Sequence, residues 1–329
     1  MKTNFTPKLL ALLISASLMA TSCKNDTADL GLAAPSSANF KDIRAKALQD
    51  LVQTKTFKAE DGLSFTSDKG TKVTINPNCL RDQSNNLVTG DVMLSFVEIY
   101  DRGNMVLTNK PVMGKDGGGN LLPLVTGGQY NISVSKGSEA LKPGCIFTVS
   151  VPASNTGALD SDMKLWEGNI DEDGNLAWDE KNREGAQGKE AGIGANTETA
   201  SYDIWDSAFG WANVDRFYSD PRPKTKIKVT VPSGYNNQNA GVYLAYEGEP
   251  NVLAQLDTYD TQDHYFSEHY GFIPIGMNLH VVFVSESNGS VVYAIKKATI
   301  IENGVIVIHS GELQTGSKSS LISLINALN

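Results

Sequence analysis

Residues 169–180 carry the densest run of oxygen ligands in the chain. Asn169, Asp171, Asp173 and Asn175 alternate, Gly174 marks a turn, and Glu180 stands at the twelfth position. That is the ligand spacing of an EF-hand calcium loop apart from the Asn at its first place, and a final bidentate carboxylate would complete an oxygen cage around a hard cation. The flanking residues suggest another use. Leu165-Trp166 and Leu176-Ala177-Trp178 read as two strands around an Asp-Gly turn, without the paired helices that orient EF-hand ligands. A β-hairpin is therefore the favoured expectation and bound calcium the alternative.

A second group lies further along, where Asp257, Asp260, Asp263, His264, Glu268 and His269 crowd one stretch. Carboxylates with imidazoles suit metal binding or acid–base work, but His264 and His269 lack the His-Glu-x-x-His spacing that puts two imidazoles on one helical face. Tyr259, Tyr265, Phe266 and Tyr270 interleave with them and favour a solvated loop beside a packed strand. Gly289-Ser290 resembles a self-cleaving Gly-Ser peptide, yet Asn288-Gly289 between two β-rich runs is a strong hairpin signal. There is no Gly-x-Ser-x-Gly, no phosphate-binding Gly-x-x-x-x-Gly-Lys, and no Cys/His pattern for zinc. The chain is expected to be non-enzymatic and to need no cofactor. Trp166, Trp178, Trp205 and Trp211 form a remaining cluster, able to stack on sugar rings or anchor a partner if exposed, with burial as the default.

The N-terminus has an address. Lys2 and Lys8 precede the apolar run from Leu9 to Ala20, which at about 1.5 Å per residue is too short to span a bilayer and reads as an export signal. Ala20-Thr21-Ser22-Cys23 resembles the lipobox of bacterial lipoproteins, which implies cleavage after residue 22 and acylation of Cys23. Each buried methylene contributes roughly 0.8 kcal/mol, so two or three acyl chains anchor a protein without a basic patch. Residues 23–39 then form a polar tether, and Lys24-Asn25-Asp26 resembles the export signals of surface-exposed lipoproteins in Bacteroidota. The expected location is the bacterial envelope, in the outer membrane, with either face open. Cys79 and Cys145 remain, either bridged in an oxidising compartment or separate as small buried hydrophobes, the commoner arrangement in a large domain.

The elements that must position these residues are mostly strands. Phe40, Ile43, Ala47, Leu48, Leu51 and Val52 recur at helical spacing, so a short helix is expected within 40–59. Period-two patterns follow at 71–76, 91–100, 130–134 and 146–151, and again at 226–231, 241–246, 279–285, 291–296 and 305–309, before a short helix over 319–328. Residues 181–200 are rich in Gly and mixed charge and read as a linker or mobile loop. The expected architecture is all-β, with an N-terminal β-sandwich over 60–180 and a C-terminal one over 201–329. Lys and Arg total 28 against 37 Asp and Glu, a net charge of −9, which would repel a phosphate backbone and excludes nucleic acid as a partner.

Gly70-Thr71-Lys72-Val73-Thr74-Ile75-Asn76-Pro77, Val88-Thr89-Gly90-Asp91-Val92, Glu98-Ile99-Tyr100, Thr126-Gly127-Gly128 and Trp166-Glu167-Gly168 occur in the order seen in uncharacterised secreted proteins of Bacteroidota. Their N-terminal domain is similar to the β-sandwich shared by ankyrins, netrin receptors and tight-junction scaffolds. The resemblance covers residues 60–180 and implies a sandwich that acts by binding. Together these readings point to a lipid-anchored envelope protein that binds another protein or, alternatively, a glycan, with a metal-dependent hydrolase as the remotest class.

Overall fold

The structure is a computed structural model that describes residue 1 and residues 32–329 apart from 171–175, 182–183, 186–187, 190 and 270. Strands hold 48% of it and three short helices 12%, so the all-β expectation stands. None of the described helices is long and apolar enough to cross a membrane.

Two sheets face each other in the first half. One runs in the order Gln53–Lys58, Asp91–Ile99, Leu121–Lys136, Gly210–Phe217, Lys164–Ile170, Leu176–Glu180, Met113–Lys115. The other runs Gly192–Asn196, Ser201–Asp206, Phe147–Pro152, Lys72–Ile75, Leu63–Thr66. Alternation explains the packing: Val73, Ile75, Val92, Leu94, Phe96, Val149, Val151, Tyr202 and Ile204 turn inward to a common core while their neighbours face water. The long strand Leu121–Lys136 also pairs at its start with Met113–Lys115, which touches Leu176–Glu180 through the parallel pair Trp178 and Gly114. These pairings close a small ring of strands. Leu124, Trp166 and Trp178 pack there without solvent exposure, and a Cβ on Gly114 would meet Leu124 and Trp166 at less than 3 Å.

A second pair of sheets follows. Leu253–Gln255, Ala240–Tyr246, Asn278–Ser287, Ser290–Thr299 and Gln314–Gly316 form five strands, and Thr258–Asp260, Tyr265–Ser267, Lys228–Thr230 and Val305–Val307 form four. Val229, Val242, Leu244, Phe266, Val281 and Phe283 fill the space between. Asn288 and Gly289 both take positive φ, 50° and 80°, and make the tight hairpin that their types predict.

The outer face of the five-stranded sheet is buried too. Tyr243, Ala245, Val282, Val284, Val291 and Tyr293 meet helices α1 (Ser37–Gln49), α2 (Arg102–Thr108) and α3 (Lys318–Asn326), together with Trp166 and Trp178. Every residue of Ala240–Tyr246 is consequently buried, on both faces of its sheet. Helix α2 lies against α3 at Gly103, where a Cβ would come within 2.7 Å of the Ile322 backbone. Asn326 Oδ1 accepts the Gly103 N–H at 2.8 Å, and Arg102 donates to the Leu328 carbonyl.

Four expectations need correction. The helix expected over 40–59 ends at Gln49, because Gln53–Lys58 is an extended edge strand that pairs with Asp91–Ile99. Its N-cap is Ser36, whose hydroxyl accepts the Asn39 N–H at 3.2 Å. Residues 181–200 are not simply a linker: Gly192–Asn196 is an edge strand on Ser201–Asp206, which pairs with Phe147–Pro152. Gly210–Phe217 pairs with Leu121–Lys136, so the first pair of sheets extends to Phe217 and the border at 200 is misplaced. Gly-rich composition concealed the edge strand because only Ile193 packs against the core. Finally, Cys79 and Cys145 are bridged, closing a loop of 66 residues where strands Leu80–Arg81 and Glu139–Pro143 pair.

Candidate functional site

The four tryptophans separate into two kinds. Trp166 and Trp178 are fully buried, and their indole N–H groups donate to the carbonyls of Asp215 (2.8 Å) and Pro111 (3.0 Å), so neither offers a ring to a ligand. Trp211 is half-buried beside the Lys110 ammonium, 5.6 Å from its ring centroid. Trp205 is half-buried on the outer face of the five-stranded sheet of the first pair, leaning over Gly192, where a Cβ would lie 2.3 Å from the indole. In register beside it run Thr148, Thr74 and Ser64, all exposed. A flat ring next to a row of hydroxyls combines a stacking surface with hydrogen-bonding groups.

Of the oxygen series, Asn169 and Glu180 are described and Asp171, Asp173 and Asn175 lie outside the described residues. Lys164–Ile170 and Leu176–Glu180 form an antiparallel hairpin whose last pair is Ile170 with Leu176. Glu180 pairs with Trp166, four register positions from that end, and its carboxylate takes the Lys164 ammonium at 2.9 Å. Asn169 Nδ2 donates to Asp179 Oδ2 at 2.6 Å. Among the described residues no group of three or more His, Cys, Asp or Glu is placed to hold a metal ion. Cys23 lies outside the described residues.

The acidic, His-containing stretch is brought together, but its carboxylates serve mainly the backbone. Asp260 Oδ1 accepts the N–H groups of Asp263 and Gln262 at 2.9 Å each, which holds its carboxyl below the usual range. Glu268 accepts the Gly271 N–H at 2.7 and 2.8 Å. His264 takes a left-handed φ of 55° beside the Tyr259 hydroxyl, and His269 Nδ1 lies 2.9 Å from Asp257 Oδ2. Around them opens a cleft of about 420 Å³, lined by Lys226, Lys228, Tyr259, Tyr265, His269 and Asn303 among others. The Lys228 ammonium stands 4.1 Å above the Tyr265 ring. The cleft has the size of a small-ligand site and mixed charge. Of its lining hydroxyls, that of Ser267 donates to the Ile227 carbonyl at 2.7 Å.

The sequence held no sign of a third cluster, at the helices. Arg44 on α1 lies 4.0 Å over the Phe40 ring and donates to the Tyr243 hydroxyl at 2.8 Å, and Tyr243 donates to Asn109 Oδ1. Lys110 is buried, its ammonium near the carbonyls of Thr108 (3.3 Å) and Asn109 (3.4 Å). Burial and the neighbouring Arg44 lower its pKa to about 8. Arg44 and Tyr243 stand 199 residues apart, which no local pattern could have joined.

No protein-family model matches the chain, and no curated protein matches it.

Proposed function

We propose that the chain is a lipid-anchored, non-enzymatic binding protein of the bacterial envelope, held in the outer membrane by acylated Cys23 and engaging another envelope protein. The observation that carries this reading is the Cys79–Cys145 bridge. Disulfides persist in oxidising compartments, as an exported chain requires, and the export-signal pattern ahead of Cys23 agrees with it. The carboxylates of the cleft serve as turn caps, Asp260 for the Gln262 and Asp263 N–H groups and Glu268 for the Gly271 N–H, which agrees with a binding role. Replacing Cys23 with Ser is expected to shift the protein from the membrane to the soluble fraction. A Cys23→Ser protein that sediments with membranes as the parent does would remove the anchor from this reading.

Glycan binding is the second reading, and Trp205 favours it. Its ring lies on an open sheet face beside Thr148, Thr74 and Ser64, whereas Trp166 and Trp178 are unavailable. A glycan array separates the two: retention on a polysaccharide lost in Trp205→Ala supports the glycan, and retention of an envelope protein unaffected by Trp205→Ala supports the first reading.

A further inference from the structure

Most exposed large apolar side chains of the described surface, Leu87, Met93, Ile146, Ile170 and Leu324, are single along the chain. Such single residues need no explanation. One group differs. Ile301, Val305 and Val307 fall within seven residues and are 64%, 57% and 40% exposed. Val305 and Val307 project from the outer face of the four-stranded sheet because Ile306 between them packs toward the core. They stand in register with Lys228 and Thr230, and Val305–Val307 is an edge strand.

The path of the chain gives this patch a neighbour. Val307 also lines an open cleft of about 590 Å³ with Leu32, Val231, Pro232 and Leu313. Leu32 and Ala34 pack against the second core, and the Pro35 carbonyl accepts the Asn239 side-chain amide at 3.1 Å. The segment that leads back to Cys23 therefore meets the described fold beside the patch. Eight residues lie between Cys23 and Leu32, and the nine steps reach at most about 30 Å when extended. An acylated Cys23 would hold this end of the molecule within that distance of the lipid.

We infer that Ile301, Val305 and Val307, flanked by Lys226 and Lys228, form the face by which the anchored protein rests on the lipid surface. The inference rests on the lipid anchor proposed above. Charge agrees with it. The chain is acidic overall, yet exposed Lys226 and Lys228 border the patch, and Glu312 nearby is neutralised by Lys296 at 2.8 Å. Glu302 is the carboxylate within the turn that carries Ile301, and Asp260 lies three strands away, at the far edge of the sheet. Three apolar side chains would not hold a free protein on a bilayer. Tethering changes that, because a short linker raises the effective concentration of the second contact to about the millimolar range.

The test uses the full acylated chain on vesicles of phosphatidylethanolamine and phosphatidylglycerol containing a nitroxide headgroup lipid. Val305→Cys carries an environment-sensitive fluorophore in one preparation, Val307→Cys in a second, and Thr74→Cys, on the outer face of the first pair of sheets, in a third. Flotation of the parent and of Cys23→Ser reports the anchor separately. The expected result is flotation of all three labelled proteins with quenching at 305 and 307 at least about twofold that at 74. Flotation with equal quenching at the three positions overturns the inference and leaves the anchor standing. Shielding at 305 and 307 only on adding envelope proteins, without lipid quenching, overturns it in favour of a protein partner. A parent chain that does not float overturns both.

Discussion

Between the first pair of sheets polar groups are drawn into the interior, whereas the second pair encloses a nearly apolar one. Glu98 accepts from Ser67 (2.8 Å), Thr71 (2.9 Å), Gln53 (3.1 Å) and the Lys69 N–H (2.9 Å). Lys181 and Asp206 pair at 2.6 Å with side chains 3% and 2% exposed. On the other face of the larger sheet, beside Trp166, Asn213 donates to Asp215 at 2.6 Å and accepts from Thr126 at 3.0 Å. Leu244, Val281, Phe283 and Phe266 pack in a cluster of hydrophobic side chains, at whose edge Ser285 donates to the Asn239 carbonyl at 2.6 Å. A polar interior is stable only when its hydrogen bonds are complete, so it tolerates one register, while an apolar interior depends mainly on area and volume. The first pair of sheets is specified by partners and the second by filling.

Breaking a polar partnership should have the largest effect. Asp206→Ala removes the 2.6 Å partner of the buried Lys181 ammonium and leaves it the Glu167 carboxylate at 3.9 Å, and the expected loss is about 3 kcal/mol. The joint replacement Lys181→Met with Asp206→Leu should restore most of it, as read by urea unfolding. A loss below 1 kcal/mol in Asp206→Ala would erase the contrast between the two interiors.

The bridge comes next. Replacing Cys79 and Cys145 with Ala releases a 66-residue loop in the unfolded chain and should cost about 2–4 kcal/mol. Amide exchange should accelerate first in strands Leu80–Arg81 and Glu139–Pro143. Equal acceleration across Asn278–Ser287 would mean that the two pairs of sheets open as one unit.

The smallest effect is a pH dependence at the junction. Lys110 titrates near 8 in the folded protein and about 10.4 in an unfolded chain, so its cationic form is the costly one on folding. Below about pH 8 both states are protonated and the cost is present in full. Between 8 and 10.4 the unfolded chain binds more protons, so the Lys110 contribution to stability improves as pH rises. Lys110→Met should gain roughly 1–3 kcal/mol at pH 7. The gap between variant and parent should close by pH 10.5, and an invariant gap would refute this origin.

Legibility in the sequence followed locality. The strand Asp91–Ile99 alternates strongly enough to be read alone, and Asn288-Gly289 announces its hairpin. The hairpin at 165–178 was readable from its flanking strands, and its Trp residues are core, as the default for their type has it. Gly192–Asn196 was not readable, since an edge strand with one packed side chain lacks periodicity. Helix α2 was missed because seven residues with a Gly near the start give barely two turns, and tertiary contacts with α3 sustain it. The cleft was partly legible: Asp260, Glu268 and His269 are near one another in the chain, but Lys228 comes from another strand and Lys226 and Asn303 from connections. The bridge and the Arg44–Tyr243 junction join distant positions that only the folded chain makes adjacent.

The three helices around Tyr243 come from residues 37–49, 102–108 and 318–326, so the core they share is assembled from nearly the whole described length. A chain that is synthesised from its N-terminus has both pairs of sheets in hand before α3 exists. Until Leu321 and Ile325 arrive, the face of Val282, Val284 and Val291 has no complete cover, and the Gly103 N–H lacks Asn326. Such nonlocal closure is slow, because the entropy of a long loop is lost before the contact forms. Helix α3 thus acts as the latch of folding, and the molecule stays open to holding chaperones until residues 318–326 emerge.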